Sequence, residues 1–174
     1  MRSACGGLGA AVWPPSGFLL AVLVLSPQRA WAVILGGVLC SNTVANLTAG
    51  LSLTIRLGFS LANCAESMTA AWLLMRFLGT PLTMTTLRDV MGLTGLAVIA
   101  SNAGTACLGA AVVSLGLDTP FWAVWRVWWI ADGLGMLVLA PTIVMWVTAD
   151  RRLYKTGAGQ SQSGAGGEWC HGDP

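Results

Sequence analysis

Apolar residues fall into five long runs along this chain, separated by short polar or charged connectors. The runs cover residues 10–25, 30–47, 57–77, 90–115 and 121–147. A helix needs about 20 mostly apolar residues to cross the hydrocarbon core of a bilayer. The short connectors leave room only for tight turns between antiparallel neighbours. The pattern therefore predicts an all-α, polytopic membrane helical bundle in up-and-down order, with about five transmembrane helices.

The composition supports a membrane location. Of the 174 residues, 55% are hydrophobic and only 9% are charged, whereas a soluble domain carries about 25% charged residues. The sequence outside the apolar runs is too short for a large soluble domain. We therefore expect membrane lipids as the surroundings of the protein, and no nucleic-acid partner.

Basic residues predict the orientation of the bundle. Arg151, Arg152 and Lys155 directly follow the last apolar run, and positive charge beside a span favours the cytoplasmic side. Counting spans backwards assigns six basic residues to that side and two to the other. We predict a cytoplasmic C-terminus and an external N-terminus. The membrane domain is expected over residues 1–150, and a basic exit segment with a disordered Gly, Ser and Gln-rich tail over 151–174.

The first apolar run has an alternative interpretation as a signal peptide. The apolar stretch 17–25 and the Ala-Trp-Ala pattern at 30–32 are typical of such peptides. Pro14 and Pro15 before that stretch, and Arg29 beside the expected cleavage position, argue against cleavage. We favour a retained membrane helix.

Glu66 is an acidic residue in the middle of the third run. It lies ten residues from both Arg56 and Arg76, so one helix would place its carboxyl near mid-membrane. An acidic residue at that depth costs about 3 kcal/mol and must face the bundle interior, pair, or carry a proton. Asn63, three residues earlier, shares its helix face. We predict both residues in a ligand or switch site, with interhelical hydrogen bonding as the alternative for Asn63.

The fifth run contains a second acidic residue, Asp132. Trp128 precedes it by four residues and therefore shares its helix face. Gly133 and Gly135 follow it and would let another helix approach closely. We predict Asp132 and Trp128 in the same ligand or switch site as Glu66, with a purely structural helix contact as the alternative.

The sequence contains no pattern for catalysis or metal binding. The only histidine, His171, lies in the tail, and the five cysteines have no metal-ligand spacing. No glycine loop has the spacing of a phosphate-binding motif. We therefore predict no catalytic site, no metal site and no cofactor, and we expect that the protein is not an enzyme.

Four motifs, taken in order, resemble those of a known sensor family. They are WPPSG over residues 13–17, Asn63 with Glu66 leading into AAWLLMRF, LRDV over 87–90, and WWIADGLGMLVLAP over 128–141. Together they are similar to the membrane-associated sensor family called MASE, type one. The prolines in them are expected to shape helix ends or kinks, because proline lacks an amide donor. The structural motif positions are Trp13, Pro14, Pro15, Gly17, Gly133, Gly135 and Pro141.

The resemblance implies a multi-pass sensory module of the bacterial inner (plasma) membrane. Such modules relay a signal to a cytoplasmic histidine kinase, a diguanylate cyclase or a cyclic-di-GMP phosphodiesterase. The family usually has a membrane segment before the WPPSG-like motif and an output domain after the last span, whereas here twelve residues precede Trp13 and only the tail follows Lys155. We therefore expect a module shortened at its N-terminus. It would act in cis as part of a longer gene product or in trans on a separate partner, and it could form a homo-oligomer.

Two other functions remain open from the residues alone. A small proton- or cation-coupled transporter or channel subunit would also use buried acidic residues, although no internal repeat relates the first and last runs. A structural membrane partner would use Glu66 and Asp132 only to hold helices together.

Overall fold

The computed structural model describes residues 13–45, 52–80 and 82–164, with side chains described for all of these except residues 117 and 151–164. Every described residue lies in a helix or in a short connection between helices, and none lies in a strand. The prediction of an all-α membrane helical bundle is therefore confirmed. The parts of the predicted segments at residues 1–12, 46–51 and 165–174 lie outside the described residues.

Six α-helices, one 3₁₀ turn and one π-helical segment follow one another along the described chain. They are α1 (Pro14–Leu25), the 3₁₀ turn (Gln28–Ala30), α2 (Trp31–Ala45), α3 (Leu53–Leu78), α4 (Leu87–Gly92), the π segment (Leu93–Ser101), α5 (Asn102–Leu117) and α6 (Phe121–Gly164). Each predicted apolar run corresponds to a helix, and the fourth run corresponds to α4, the π segment and α5 together.

Local sequence signals explain where several helices begin and end. Pro14 and Pro15 occupy the first positions of α1, where a missing amide donor costs nothing. The hydroxyl of Ser52 caps α3 by accepting a hydrogen bond from the Ile55 amide. Gly79 ends α3 with φ 85°, a conformation that glycine adopts without strain. Asp118 ends α5 in the left-handed region.

The π segment interrupts a helix that the sequence predicts as regular. Residues 87–116 form one continuous helical stretch, but its middle third has the wider π winding. In a π-helix the amide of residue i+5 bonds to the carbonyl of residue i, and such segments are frequent at functional sites. The apolar pattern gave no signal of this change in winding.

Within the described residues, two helical stretches are long and apolar enough to cross a membrane, Leu87–Gly116 and Phe121–Asp150. The other apolar helices differ from a simple span. α1 and α2 have 12 and 15 residues, fewer than the roughly 20 that a perpendicular crossing requires. α3 has 26 residues but contains three charged side chains. The count of five complete spans therefore stays a prediction.

Helices α1, α3 and α6 meet at the centre of the bundle. α6 packs against α1, α5 and the π segment, and α3 packs against α1, α2, α5 and the π segment. Small side chains such as Ala62, Ser67 and Ala70 are buried along α3, which permits close approach of neighbouring helices. Large apolar side chains also lie on the outside of the bundle, where the surrounding lipid tails are equally apolar. They include Phe18, Trp72, Phe77, Leu108, Ile130 and Trp146.

Helix α6 continues well beyond the last apolar run. It extends without interruption from Phe121 to Gly164, whereas the composition from Thr156 onward predicts no helix. Adding a residue to an existing helix needs no new nucleation, which explains why a Gly- and Ser-rich stretch can continue it. The proposed boundary between residues 150 and 151 stays a prediction.

Candidate functional site

Two buried carboxyl groups form the centre of the candidate site. Glu66, in the middle of α3, is 0% exposed, and Asp132, in α6, is 3% exposed. The two carboxyls lie close enough to interact directly. The structure therefore brings together the two acidic residues that the sequence analysis selected from different helices. We call Glu66 and Asp132 the carboxyl pair.

Ser16 connects a third helix to the carboxyl pair. Its hydroxyl donates a 3.0 Å hydrogen bond to Oδ1 of Asp132, and the Ser16 side chain is itself buried. Helices α1, α3 and α6 consequently meet at one polar point inside an apolar bundle. The sequence pattern does not indicate a role for Ser16, whose only signal is its place in the WPPSG motif.

Glu66 is held through its backbone more firmly than through its carboxyl. Ser101, at the end of the π segment, donates a 3.1 Å hydrogen bond to the Glu66 carbonyl. Neither carboxyl oxygen of Glu66 is hydrogen-bonded to a described residue. The carboxyl still lies within interaction range of Asp132 and of the Trp128 indole. A buried carboxyl that is not hydrogen-bonded can still bind a proton or a hydrogen-bond donor.

Trp128 contacts the carboxyl pair and an aromatic neighbour. Its indole interacts with both Glu66 and Asp132. Its ring stacks on Phe59 of α3, with centroids 5.0 Å apart and planes inclined by 13°. The sequence predicted Trp128 but not Phe59, because a single phenylalanine in an apolar helix resembles any other core residue.

A cavity of about 750 Å³ lies beside the carboxyl pair. Asp132, Trp128 and Asn63 all line it. Asn63 thus belongs to the wall of the cavity, and the contacts described for the two carboxyls do not include its side chain. The four residues predicted as a ligand or switch site are accordingly divided between the carboxyl pair and the cavity beside it.

The two most distinctive sequence motifs meet in space. The Trp13 amide donates a 2.9 Å hydrogen bond to the Ala131 carbonyl of α6. Gly17 and Gly135 lie where the helices cross, and a Cβ on Gly135 would collide with the Trp13 carbonyl oxygen. WPPSG therefore forms the beginning of α1 that packs onto ADGLG of α6, and the glycines are required by the close approach of the two backbones.

The remaining motif positions support α6. A Cβ on Gly133 would lie 3.0 Å from Val98 and 3.2 Å from Asn102, so this glycine lets the π segment and α5 approach. Asn102 donates a 2.8 Å hydrogen bond from its side-chain amide to the Trp129 carbonyl. Pro141 lies inside α6 and not at its end. Because proline has no amide donor, it removes one helical hydrogen bond there.

The site offers two carboxyls and no set of metal ligands. Among the residues described, no group of three or more histidine, cysteine, aspartate or glutamate side chains converges. The arrangement can bind a proton, a hydrogen-bond donor or a positively charged group at the carboxyl pair.

The comparisons with known proteins identify one family. The sequence model of MASE1 matches residues 4–158. The matched range contains all four motifs and both members of the carboxyl pair. No match is found among curated proteins or among solved structures.

Proposed function

Since this chain belongs to the MASE1 family of membrane-associated sensor domains, which are sensory and not catalytic modules of signalling proteins, we propose that it is the input module of a bacterial signalling system. It receives a signal in the inner membrane and relays it to a cytoplasmic histidine kinase or cyclic-di-GMP enzyme. The output module is either part of the same gene product or a separate protein.

The observation that carries this proposal is the connection between the carboxyl pair and the exit of the bundle. Asp132 lies on α6, which continues as one helix to Gly164. From Asp132 to Asp150 the helix rises about 27 Å, at about 1.5 Å per residue. A change in the contacts of Asp132 with Ser16 or Glu66 would alter how α6 packs against α1 and α3. A continuous helix carries such a displacement to its far end.

A signal must favour one of two packings of the bundle through different contacts in each. Glu66 and Asp132 are proposed as the switch, because a bound proton, donor group or cation changes the interaction between two neighbouring carboxyls. Trp128 would register that change through its contact with both carboxyls. Asn63 would contribute to ligand contacts through the cavity wall.

The basic exit segment predicts how the protein is oriented in the membrane. Arg151 and Arg152 directly follow the membrane helix, and each cation near an anionic leaflet contributes about 1 kcal/mol of attraction. We propose a multi-pass protein with a cytoplasmic C-terminus, so that α6 delivers its displacement to the side where output enzymes act.

To test this proposal, a diguanylate cyclase is fused to the C-terminus of the full chain and the fusion is expressed in bacterial membranes. The measured quantity is the cyclic-di-GMP produced per molecule of membrane-inserted fusion protein. Glu66→Gln preserves size and removes the ionisable group. We expect it to change the output at least about fivefold, the lower end of usual allosteric coupling. Asp89→Asn is the matched control, because Asp89 lies in the first turn of α4 and makes no described contact with the carboxyl pair. Equal output from Glu66→Gln and the unsubstituted chain would contradict the proposal.

The buried carboxyl pair also favours a second candidate, a proton- or cation-coupled transporter or channel subunit. A measurement of proton or cation flux into vesicles that contain the purified chain distinguishes transport from sensing. Cation uptake that Glu66→Gln abolishes, combined with an unresponsive reporter, would favour transport over sensing.

A further inference from the structure

The cavity beside the carboxyl pair combines aromatic walls with one acidic residue. Its aromatic side chains are Trp13, Phe59 and Trp128, and its polar ones include Asn63 and Asp132. The volume of about 750 Å³ lies within the range of cavities that bind small organic molecules. Such cavities typically have an apolar lining and a few polar groups that fix the orientation of the ligand.

The cavity extends from one end of the bundle towards its middle. Thr119 and Pro120, in the turn between α5 and α6, line it together with Asp132. Asp132 lies eleven residues into α6, which corresponds to about 16 Å along the helix axis. In the proposed orientation this turn, and with it this end of the cavity, faces the outside of the cell.

The charge at the inner end of the cavity has no basic counterpart among the described contacts. The groups that interact with Asp132 are the Ser16 hydroxyl, the Glu66 carboxyl and the Trp128 indole, and those of Glu66 are Asp132 and Trp128. Asp132 therefore accepts a hydrogen bond from Ser16. Both acids lie beside the Trp128 indole and beside each other. A positively charged ligand would supply the group that best stabilises a buried carboxylate.

The walls discriminate between kinds of cation. A hard metal ion such as Ca²⁺ takes six to eight oxygen ligands, and no group of three metal-ligating acidic, histidine or cysteine side chains occurs in the described part of the chain. An aromatic wall packs well against the apolar body of an organic cation. The stacked Phe59 and Trp128 rings, with centroids 5.0 Å apart, form such a wall of the cavity between α3 and α6.

We propose that this cavity binds an organic cation, a molecule with a ring-sized apolar body and one ammonium group. The ammonium donates hydrogen bonds to Asp132, and the apolar body packs against Phe59, Trp128 and Trp13. This inference rests on the proposed sensory function only for its consequence in signalling. Binding itself can be measured without any output module.

The test uses the full chain in phosphatidylcholine nanodiscs and three probes with the same carbon skeleton, a phenyl ring that carries a two-carbon chain. The probes are 2-phenylethylamine, which is a cation at neutral pH, 2-phenylethanol, which is neutral, and phenylacetate, which is an anion. Isothermal titration measures binding, and empty nanodiscs correct for partitioning into lipid. We expect saturable binding of the amine that is at least about tenfold tighter than that of the alcohol, and no binding of phenylacetate.

Variants connect the binding to the cavity. Asp132→Asn is expected to weaken amine binding at least about tenfold and to leave alcohol binding unchanged. Asp89→Asn, another acid-to-amide change, is expected to leave both unchanged. Phe59→Leu provides a second variant if Asp132→Asn does not fold, and it is expected to weaken amine binding because it removes part of the aromatic wall against which the apolar body packs.

Three outcomes would overturn the inference. Equal binding of the amine and the alcohol would show a neutral apolar cavity, such as one occupied by a lipid chain. Preferential binding of phenylacetate would show an anion site. Amine binding that neither Asp132→Asn nor Phe59→Leu weakens would place the site elsewhere. Amine binding in nanodiscs without any change in reporter output would leave this inference standing and count against the sensory function, so the two failures are distinguishable.

Discussion

The hydroxyl of Ser16 donates a 3.0 Å hydrogen bond to Oδ1 of Asp132 and ties α1 to α6 inside the bundle. Both side chains are buried within the bundle. A buried acceptor that loses its donor costs more free energy than an average hydrogen bond contributes. This contact therefore holds α6 in the described packing, and its strength depends on the state of the carboxyl pair.

Ser16→Ala should lower the free energy of unfolding by about 1–3 kcal/mol, because it leaves Oδ1 of Asp132 without its hydroxyl donor. The measurement is a denaturant titration in detergent micelles followed by circular dichroism. Ser41→Ala is the control, since exposed Ser41, among the residues described, bonds to the Val38 carbonyl of its own helix, and it should change the free energy by less than about 0.5 kcal/mol. Equal effects of the two substitutions would show that the Ser16 contact contributes nothing specific.

Gly135→Ala should separate the two crossing helices. An added Cβ would collide with the Trp13 carbonyl oxygen, a backbone atom that cannot rotate away. We expect a loss of at least about 1–3 kcal/mol, as for other overpacked sites. Gly104→Ala has open space around its Cβ and should be neutral or stabilising, because alanine favours helix by about 1 kcal/mol over glycine. The same titration measures both variants, and two changes of the same sign would contradict the crossing geometry.

Trp129→Phe should destabilise the π segment selectively. The indole Nε1 of Trp129 donates a 2.9 Å hydrogen bond to the Val98 carbonyl inside that segment. Phenylalanine keeps most of the apolar contact and removes the donor. Hydrogen exchange measured by mass spectrometry should show faster exchange for peptides covering residues 93–101. Trp122→Phe, at a position 67% exposed, is the control and should leave the exchange of these peptides unchanged.

The sequence predicted the helices and the burial of Glu66 and Asp132 for reasons that are local. Hydropathy places each apolar run in a helix whatever its neighbours are, and the cost of a charge in the membrane directs Glu66 and Asp132 to the interior. Helical spacing also placed Trp128 on the face of Asp132, and the structure shows the two in contact. These inferences need only the properties of one helix at a time.

Features that depend on contacts between helices could not be predicted in this way. Ser16 is a common hydroxyl residue near a helix start, and only the crossing of α1 over α6 brings it to Asp132. The π segment has the same apolar composition as an α-helix, and its winding accompanies contacts such as that between Trp129 and Val98. The pairing of Phe59 with Trp128 likewise requires knowing that α3 and α6 are neighbours there.

Insertions at the exit of α6 should test whether a continuous helix carries the signal. In a fusion that joins the diguanylate cyclase directly after Gly164, where α6 ends, one to four alanines are inserted at the junction. Each residue rotates the following domain by about 100°, so insertions of three or four nearly restore the original direction. We expect the output to fall with one or two alanines and to recover with three or four. Output that declines steadily with length, or does not change, would indicate a flexible connection in place of a helical one.

Accessibility of two connecting turns should reveal the orientation of the bundle. Asp118 lies exposed in the turn between α5 and α6, and Gln28 lies exposed in the 3₁₀ turn between α1 and α2. The basic exit segment predicts that the turn containing Asp118 is external and that the turn containing Gln28 is cytoplasmic. In a chain whose native cysteines are replaced by alanine, Asp118→Cys should react with a membrane-impermeant maleimide in intact spheroplasts. Gln28→Cys should react only after lysis. The reverse pattern would show the opposite orientation, with the end of the cavity that Thr119 and Pro120 line on the cytoplasmic side.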